Sequence, residues 1–311
     1  MLSRYYPNTT ESDITSSFFY RSHHLLPKRI QLIQHGLIPE WVWELAGQLY
    51  PYGSKSPRQI SKTSKYARRV KRCFKAFRRM LHKSNKVPLN KEERSQKLRQ
   101  VLPLNIDLAE LRCYSEVLCE ASREPFTAST SRYFSKKRPI STPAPDIVYG
   151  YRRTAFWGDP DVGTCNEPGV MFPYLIVEFQ QMGGNMYQAA NKCLGGSAVS
   201  LRLTENVVGY RHLVFSVSTN GQVADVYVMW SDAISKQSTT GGRSPRKHVM
   251  FHLDSFILAK FEEFERFWHI LYNIHCWGLG RRLASLRGKI GDVISAMERS
   301  KNAKPGVHVH G

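Results

Sequence analysis

Hydrophobic positions along the chain fall into short runs that predict β-strands. Residues 174–179 form a continuous apolar run interrupted by one acid, as expected for a strand covered on both faces. Residues 146–151 predict another strand. Two more, around 213–217 and 223–230, are joined through Asn220-Gly221. That pair indicates a hairpin, because both residues tolerate the positive φ of a tight turn.

Other segments carry apolar residues at helical spacing. Helices are predicted over 38–45, where Pro39 stands in the first turn, and over 66–81, 108–120 and 185–194. A long last helix is predicted from one apolar stripe, formed by Ile257, Phe261, Phe264, Trp268 and Leu271. The order of elements predicts a mixed α/β (α+β) fold, with a core sheet flanked by helices.

The predicted organisation has three parts. Residues 1–105 form a basic, partly helical N-terminal region, residues 106–290 the mixed α/β domain, and residues 291–311 a flexible tail. A chain of 311 residues is long enough for one main domain with an appendage.

Positive charge is concentrated in the N-terminal third. The chain has a net charge of +20, and residues 55–86 contain thirteen Lys or Arg and no Asp or Glu. Such an excess attracts polyanions, which makes nucleic acid the expected partner. A membrane is not expected as a partner, because no apolar stretch approaches the ~20 residues of a spanning helix. Six cysteines without a CxxC pair indicate reduced thiols in an intracellular protein.

Two acids stand where charge is costly. Glu178 lies near the end of an apolar strand, and Asp146 follows Pro145 at the start of another. A buried carboxylate needs a partner or a metal ion. If the two strands pair, both acids reach one end of the sheet, where they could hold a divalent cation for phosphodiester hydrolysis.

Pro145-Asp146 followed by Glu178-Phe179-Gln180 resembles the PD…(D/E)xK signature of the restriction-endonuclease-like superfamily. The surrounding residues 172–179, 183–185 and 190–198 are similar to a fungal group of nuclease-like proteins. That group carries a P-F-L-x-I-E-(F/Y/V)-K strand and an N-Q-C-x-G-G-S-A helix end. The resemblance covers roughly residues 140–290 and implies a restriction-endonuclease-like sheet.

The resemblance also implies roles for individual residues. Asp146 and Glu178 would bind Mg²⁺ or Mn²⁺, with the Phe179 carbonyl as a further oxygen ligand. Gln180 replaces the Lys of the pattern and could orient water without supplying charge. Lys192 stands where such relatives carry Gln, one turn after Gln188. The resulting hypothesis is that Lys192 has taken over the electrostatic role of the missing Lys.

Further acids could complete the site. Glu116 and Glu120 lie one turn apart on the helix predicted before Asp146. In the superfamily that the chain resembles, an acidic residue on the first helix is frequently an additional metal ligand. A solvated helix face is the simpler interpretation of each. Asp159 and Asp161 could replace Asp146 as ligands, although turn residues are the simpler interpretation.

The basic helix over 66–81 is predicted to contact nucleic-acid phosphates and to serve as a nuclear import signal. Its candidate contacts are Arg68, Arg69, Lys71, Arg72, Lys75, Arg78 and Arg79. The sequence favours a Mg²⁺-dependent nuclease acting on DNA rather than RNA. The alternatives are a catalytically inactive nucleic-acid-binding module on the same fold, and an interaction scaffold whose basic segment is only an import signal.

Overall fold

The fold is that of a computed structural model, which describes residues 15, 19–49, 65–86, 93, 96, 117–121, 125–126, 143–156, 164–180, 184–233 and 246–302. Its centre is one mixed sheet of seven strands in the order β1-β7-β6-β5-β4-β3-β2. The strands are β1 (Ile30–Ile33), β2 (Leu118–Ala121), β3 (Ile147–Tyr151), β4 (Met171–Phe179), β5 (Val214–Thr219), β6 (Val223–Ala233) and β7 (Arg246–Ile257).

Two of the neighbouring strand pairs are parallel, β1 with β7 and β4 with β5, and the other four are antiparallel. The described helices flank this sheet: α1 (Glu40–Leu49), α2 (Lys65–Lys86), α3 (Met186–Val208), α4 (Phe261–Trp277) and α5 (Leu283–Asn302). A π-helical segment, Gly278–Arg282, joins α4 to α5. Within the described part of the chain, no helix is long and apolar enough to cross a membrane.

The sheet separates two hydrophobic cores. Helix α3 covers one face, where Ile176 packs against Gly196 and belongs to the same core as Cys193. Helices α4 and α5 cover the other face, which takes the alternate residues Val177 and Phe179 of β4. Alternate strand residues point to opposite faces. Every residue of β4 is therefore buried, which explains the continuous apolar run in its sequence.

The N-terminal third joins this architecture at two places. Strand β1 forms one edge of the sheet, with Ile30 opposite His248 of β7. Helix α2 packs on α4 through aromatic side chains, and the rings of Phe74 and Phe77 lie 5.2 Å and 5.3 Å from that of Phe264. The basic helix thus lies on the face of the sheet opposite α3.

Most predicted elements are confirmed, and several extend further than predicted. Strand β4 and helix α3 are longer than their predicted 174–179 and 185–194. The hairpin between β5 and β6 is also confirmed, although only Gly221 has a positive φ, of 83°. Asn220 serves the turn differently: its Oδ1 accepts hydrogen bonds from the main-chain N–H groups of Gln222 and Val223, each at 2.9 Å.

Other elements differ from the prediction. Residues 118–121 form a strand, so the C-terminal end of the helix predicted over 108–120 is wrong; residues 108–116 lie outside the described residues. Ile257 ends β7 with an exposed side chain and does not belong to the buried stripe of α4. Strands β1 and β7 were not predicted. Helix α5 extends to Asn302, into the segment assigned to a flexible tail.

Candidate functional site

Asp146 and Glu178 meet at one end of the sheet. Ile147 is paired with Val177, and this antiparallel register, continued by one residue, puts Asp146 opposite Glu178. Both side chains are buried, with exposed fractions of 5% and 2%. The main-chain N–H of Phe179 donates a hydrogen bond of 2.8 Å to Asp146 Oδ2. The predicted pairing of the two strands is confirmed, and the two acids lie on the face covered by α3.

Pro145 affects the main chain of Phe179. Since the N–H of Phe179 points toward β3, its carbonyl leaves the strand on the same side, where the antiparallel ladder would place residue 145 as donor. Proline has no N–H. The ladder therefore cannot supply a hydrogen bond to the Phe179 carbonyl from this position, and that oxygen faces the same strand end as the two acids.

The two acids bring two groups of like charge close together. Cβ atoms of directly opposite residues are about 4.5–5.5 Å apart, and like charges in such a pair are destabilising. Burial raises the pKa of the Cys193 thiol well above its usual value, and the charges of Glu178, Asp225 and Asp146 add to this effect. A cation bound between the acids would relieve the repulsion.

A polar row continues from the acids across the sheet. Glu178 is paired with Ser218, Ser218 with Asp225, and Asp225 with Ser255. Asp225 accepts hydrogen bonds from Ser255 Oγ at 2.6 Å and from the Tyr227 hydroxyl at 3.3 Å. Burial opposes its ionisation, but hydrogen bonds from His252 and Ser255 lower its pKa below the usual value. Asp225 is thus stabilised as a carboxylate by its own protein partners.

Gln180 directly follows β4 and lies on the same side of the sheet as Glu178, the side covered by α3. Its Nε2 lies 3.5 Å from Gln188 Oε1, and its main-chain N–H donates to the carbonyl of Thr219 at 2.8 Å. Lys192 follows Gln188 by one helical turn and is half-buried. Among the described residues Lys192 has no hydrogen bond or ion pair, so its ammonium group is available to a ligand at this end of the sheet.

A second cation, which the sequence analysis did not identify, lies at this end of the sheet. Arg21, in the π-helical turn Tyr20–Leu25, donates to Asn191 Oδ1 at 2.6 Å, and its guanidinium lies 3.9 Å from the centroid of the Tyr187 ring. Asn191 is fully buried and donates in turn to the carbonyl of Thr15 at 2.8 Å. A fixed Asn–Arg pair therefore connects α3 to the N-terminal segment.

Of the additional acids, only Glu120 can be described. It lies on β2 opposite Tyr149, on the α4 face of the sheet, and so does not share a face with Asp146. Its predicted place on a helix is wrong. Glu116, Asp159 and Asp161 lie outside the described residues. Within the described ranges, no three His, Cys, Asp or Glu side chains form a group suited to a metal ion.

The predicted nucleic-acid contacts lie mostly in solvent. Arg69 is the exception, being half-buried with its guanidinium 6.0 Å from the centroid of the Trp268 ring. The exposed members are Arg68, Lys71, Arg72, Lys75, Arg78 and Arg79. Because α2 packs on the first turns of α4, which follow β7 closely, this charge lies near the same end of the sheet as the acids but on the opposite face.

Comparison with known proteins gives a family. No curated protein matches the chain. A family model described as a domain of unknown function matches residues 89–290, which include β2 to β7 and helices α3 and α4. This match covers more than half of the chain, and the protein therefore belongs to the family named Domain of unknown function (DUF7924).

Proposed function

We propose that the Asp146–Glu178 site hydrolyses phosphodiester bonds in nucleic acid, DNA in preference to RNA, with a divalent metal ion. One observation carries this proposal: two buried carboxylates lie directly opposite each other at a strand end, beside the Phe179 carbonyl that Pro145 deprives of its ladder donor.

The donor set fits Mg²⁺ or Mn²⁺. Hard divalent cations prefer oxygen ligands, and Mg²⁺ is commonly bound through one or two carboxylates together with substrate phosphates and water. Asp146, Glu178 and the Phe179 carbonyl offer three oxygens of this kind. A group of three acidic or imidazole side chains is therefore not required. When bound, the ion would supply charge stabilisation to the scissile phosphate and lower the pKa of a water molecule.

Neighbouring residues would provide the remaining functions. The Gln180 amide can hydrogen-bond and orient the attacking water, but it carries no charge. Lys192 would stabilise the negative charge that develops on the phosphate. The N-terminus of α3, capped by Asn185, points toward the same end of the sheet and favours an anion there.

The basic surface of α2 would hold the nucleic-acid backbone. Its exposed Lys and Arg side chains favour phosphate contacts without sequence preference. Since this helix and the acids lie on opposite faces near one end of the sheet, a bound strand would pass around that end. The same residues would act as a nuclear import signal and would direct the protein to the nucleus.

Gln180 favours a second candidate, a nucleic-acid-binding module that has lost catalysis. An amide at this position removes the positive charge that the ExK pattern supplies, and Lys192 has no described contact with the acids. Such a module would retain the phosphate contacts of α2 and would bind without cutting.

The deciding experiment measures cleavage of plasmid and single-stranded DNA, and of RNA, by the full chain with Mg²⁺, Mn²⁺ or EDTA. Glu178→Gln is compared with Asp254→Asn, which removes a carboxylate paired with Arg266 on the opposite face. Cleavage that requires the metal and Glu178 but not Asp254 supports the nuclease. Tight, salt-sensitive binding without cleavage supports the inactive module, and absence of binding excludes both.

A further inference from the structure

Two segments meet on the α3 face near the end of the sheet that carries the acids. One is the N-terminal part of α3, and the other is the π-helical turn Tyr20–Leu25, which packs on α3 and on β1. Arg21 belongs to this turn and lies between the two segments, because its Nε donates to Asn191 Oδ1 of α3 at 2.6 Å. The N-terminal segment thus brings a cation to the start of α3.

The guanidinium of Arg21 is held in one orientation. Its Nε contacts Asn191, and its central carbon lies 3.9 Å from the centroid of the Tyr187 ring. Asn191 is itself fixed, because it is fully buried and its Nδ2 donates to the carbonyl of Thr15 at 2.8 Å. The terminal nitrogens of Arg21, Nη1 and Nη2, have no hydrogen-bond partner among the described residues. They form a pair of donors that is open to a ligand.

The positive charge of Arg21 is not balanced by an ion pair in the described part of the chain. Burial lowers its pKa below the usual value, against the opposing effects of Tyr187 and Tyr227. Asp225, on the same strand as Tyr227, accepts from the hydroxyl of that tyrosine and pairs with His252. Since an arginine stays protonated in proteins, a bound anion would offset the cost of this half-buried charge.

Arg21 lies to one side of the Asp146–Glu178 site. It is close enough to Tyr227 of β6 for the phenol to affect its charge. Strand β6 is the second neighbour of β4, which carries Glu178, in the order β6-β5-β4. Because neighbouring strands are about 4.8 Å apart, the guanidinium lies roughly 10 Å across the sheet from the acids. A nucleic-acid strand with one phosphate at the acids could therefore bring a different phosphate to Arg21.

We propose that Arg21 binds a phosphate of the nucleic-acid strand that neighbours the phosphate at the Asp146–Glu178 site. This inference rests on the proposed function, but on the binding of nucleic acid and not on its cleavage. The two terminal nitrogens of a guanidinium match two oxygens of a phosphate. The positive end of the α3 dipole favours an anion at the same place. Asn191 is then a positioning residue, which acts through Arg21.

This assignment narrows the substrate class. A ligand with a single phosphate cannot occupy the acid site and Arg21 together, so the site favours a strand over a mononucleotide. The family match begins at residue 89, and Arg21 comes before it. Part of the substrate contact is therefore supplied by a segment outside the matched residues.

The test is fluorescence anisotropy of the full chain with a labelled single-stranded oligonucleotide, in EDTA, over a series of salt concentrations. Arg21→Gln should weaken binding about tenfold. It should also reduce the magnitude of the slope of log K against log salt by about 0.7, the value for one phosphate contact. Arg29→Gln is the matched control, because it removes an exposed charge of the same segment beside the start of β1. Equal effects of the two variants, or unchanged binding in Arg21→Gln, overturn the proposal.

Further variants separate a phosphate contact from a structural tie. Arg21→Lys keeps the charge without the pair of terminal donors, so it should restore the slope and only part of the affinity. Asn191→Ala releases Arg21 without changing the charge, so affinity should fall several-fold at an unchanged slope. If Arg21 only fastens the N-terminal segment to α3, Arg21→Gln lowers the free energy of unfolding and leaves the slope unchanged. Urea unfolding identifies that outcome, which rejects the phosphate contact.

Cleavage measurements distinguish this proposal from the nuclease itself. In an active preparation, Arg21→Gln should raise KM several-fold with little change in kcat, because a contact to a non-reacting phosphate is equal in the ground and transition states. Binding without cleavage, with a slope that depends on Arg21, supports the phosphate contact and rejects the nuclease. Cleavage with a slope independent of Arg21 does the reverse. Absence of nucleic-acid binding overturns both.

Discussion

Asp146 accepts a hydrogen bond of 2.8 Å from the main-chain N–H of Phe179, the residue that follows Glu178. This hydrogen bond joins β3 and β4 at the end of their ladder, where Pro145 has no N–H to donate. It also ties the orientation of Asp146 to the strand that carries Glu178. The separation of the two carboxylates is therefore set by strand register rather than by a loop.

The first prediction concerns repulsion between the acids. Without divalent cations, Glu178→Gln should raise the free energy of unfolding by about 1 kcal/mol, because it removes one charge from a buried like-charged pair. Adding Mg²⁺ should stabilise the wild-type chain and have no such effect on Glu178→Gln. Urea unfolding with Mg²⁺ or EDTA measures both effects, with Asp254→Asn as control. Equal responses of all three proteins would exclude a metal at this site.

The second prediction concerns Lys192. In an active preparation, Lys192→Ala should lower kcat about a hundredfold and change substrate affinity little, because the ammonium group acts on charge that develops during the reaction. Lys260→Ala, which removes an exposed lysine that pairs with Glu263, is the control. Unchanged turnover in Lys192→Ala would reject the idea that this lysine replaces the one missing at Gln180, and Arg21 would then be the next cation to test.

The third prediction concerns the basic helix. Lys71, Lys75 and Arg78 are exposed, and the variant replaces all three by Gln. In a plot of log K for nucleic-acid binding against log salt concentration, the magnitude of the slope should fall by about two to three. The control removes three exposed arginines elsewhere, Arg153, Arg281 and Arg299. Fluorescence anisotropy over a salt series gives the slopes. If the two triple variants lose affinity equally, the prediction that α2 forms the main contact surface for nucleic acid is wrong.

The fourth prediction concerns pH and Glu205. Its pKa is raised to about 7 in the folded chain from 4.5, so the folded state holds a proton that the unfolded state releases between these values. Its contribution is complete below about pH 4.5 and is lost as the pH rises to 7, with a total of about 3 kcal/mol. Buried His275, whose pKa is lowered to about 3 by burial, acts in the opposite direction below pH 6.5.

Comparison with Glu205→Gln separates these contributions, because the histidines are common to both proteins. Urea unfolding at pH 5 and pH 8 should show that the wild-type chain loses more stability than the variant as the pH rises. Identical differences between the two pH values in both proteins would mean that Glu205 keeps an ordinary pKa.

The fifth prediction concerns two glycines. A Cβ on Gly150 of β3 would lie 2.5 Å from the main-chain oxygen of Met171, which cannot move cheaply. Gly150→Ala should therefore destabilise the chain by about 1–3 kcal/mol. Gly47 of α1 has no atom within 4 Å of the same position, and Gly47→Ala should stabilise by about 0.5–1 kcal/mol. Thermal unfolding that ranks these variants in the reverse order would contradict the packing of β3 on β4.

The sequence predicted the core correctly where the pattern of apolar residues along a strand matches the burial of that strand. Strand β4 is buried at every residue, and that state requires the apolar run in its sequence. Strand β7 was not predicted, because half-buried, buried and exposed residues are mixed along it. Its sequence therefore shows neither the two-residue alternation of a strand nor the spacing of a helix. Strand β1 has only four residues and obtains its hydrogen bonds from β7, a partner more than two hundred residues away.

The candidate site was predicted in part for the same reason. Asp146 and Glu178 stand next to apolar runs, so their cost in a core is visible in the sequence. Arg21 carries no such signal, because its role depends on Asn191, which is 170 residues away. A sequence signal that could have suggested a distant polar partner is Asn191, an amide beside the apolar residues Ala189 and Ala190 of a predicted helix.

Strand β1 also bears on which stretch of the chain should be produced for experiments. The family match begins at residue 89, whereas β1 comes before it and covers the edge of β7 from His248 to Phe251. A fragment trimmed to the matched residues would leave that edge with unpaired main-chain groups, which is a template for aggregation. It would also lose Arg21 and Lys28. The stretch that defines the family is thus shorter than the stretch needed to keep this edge of the sheet covered.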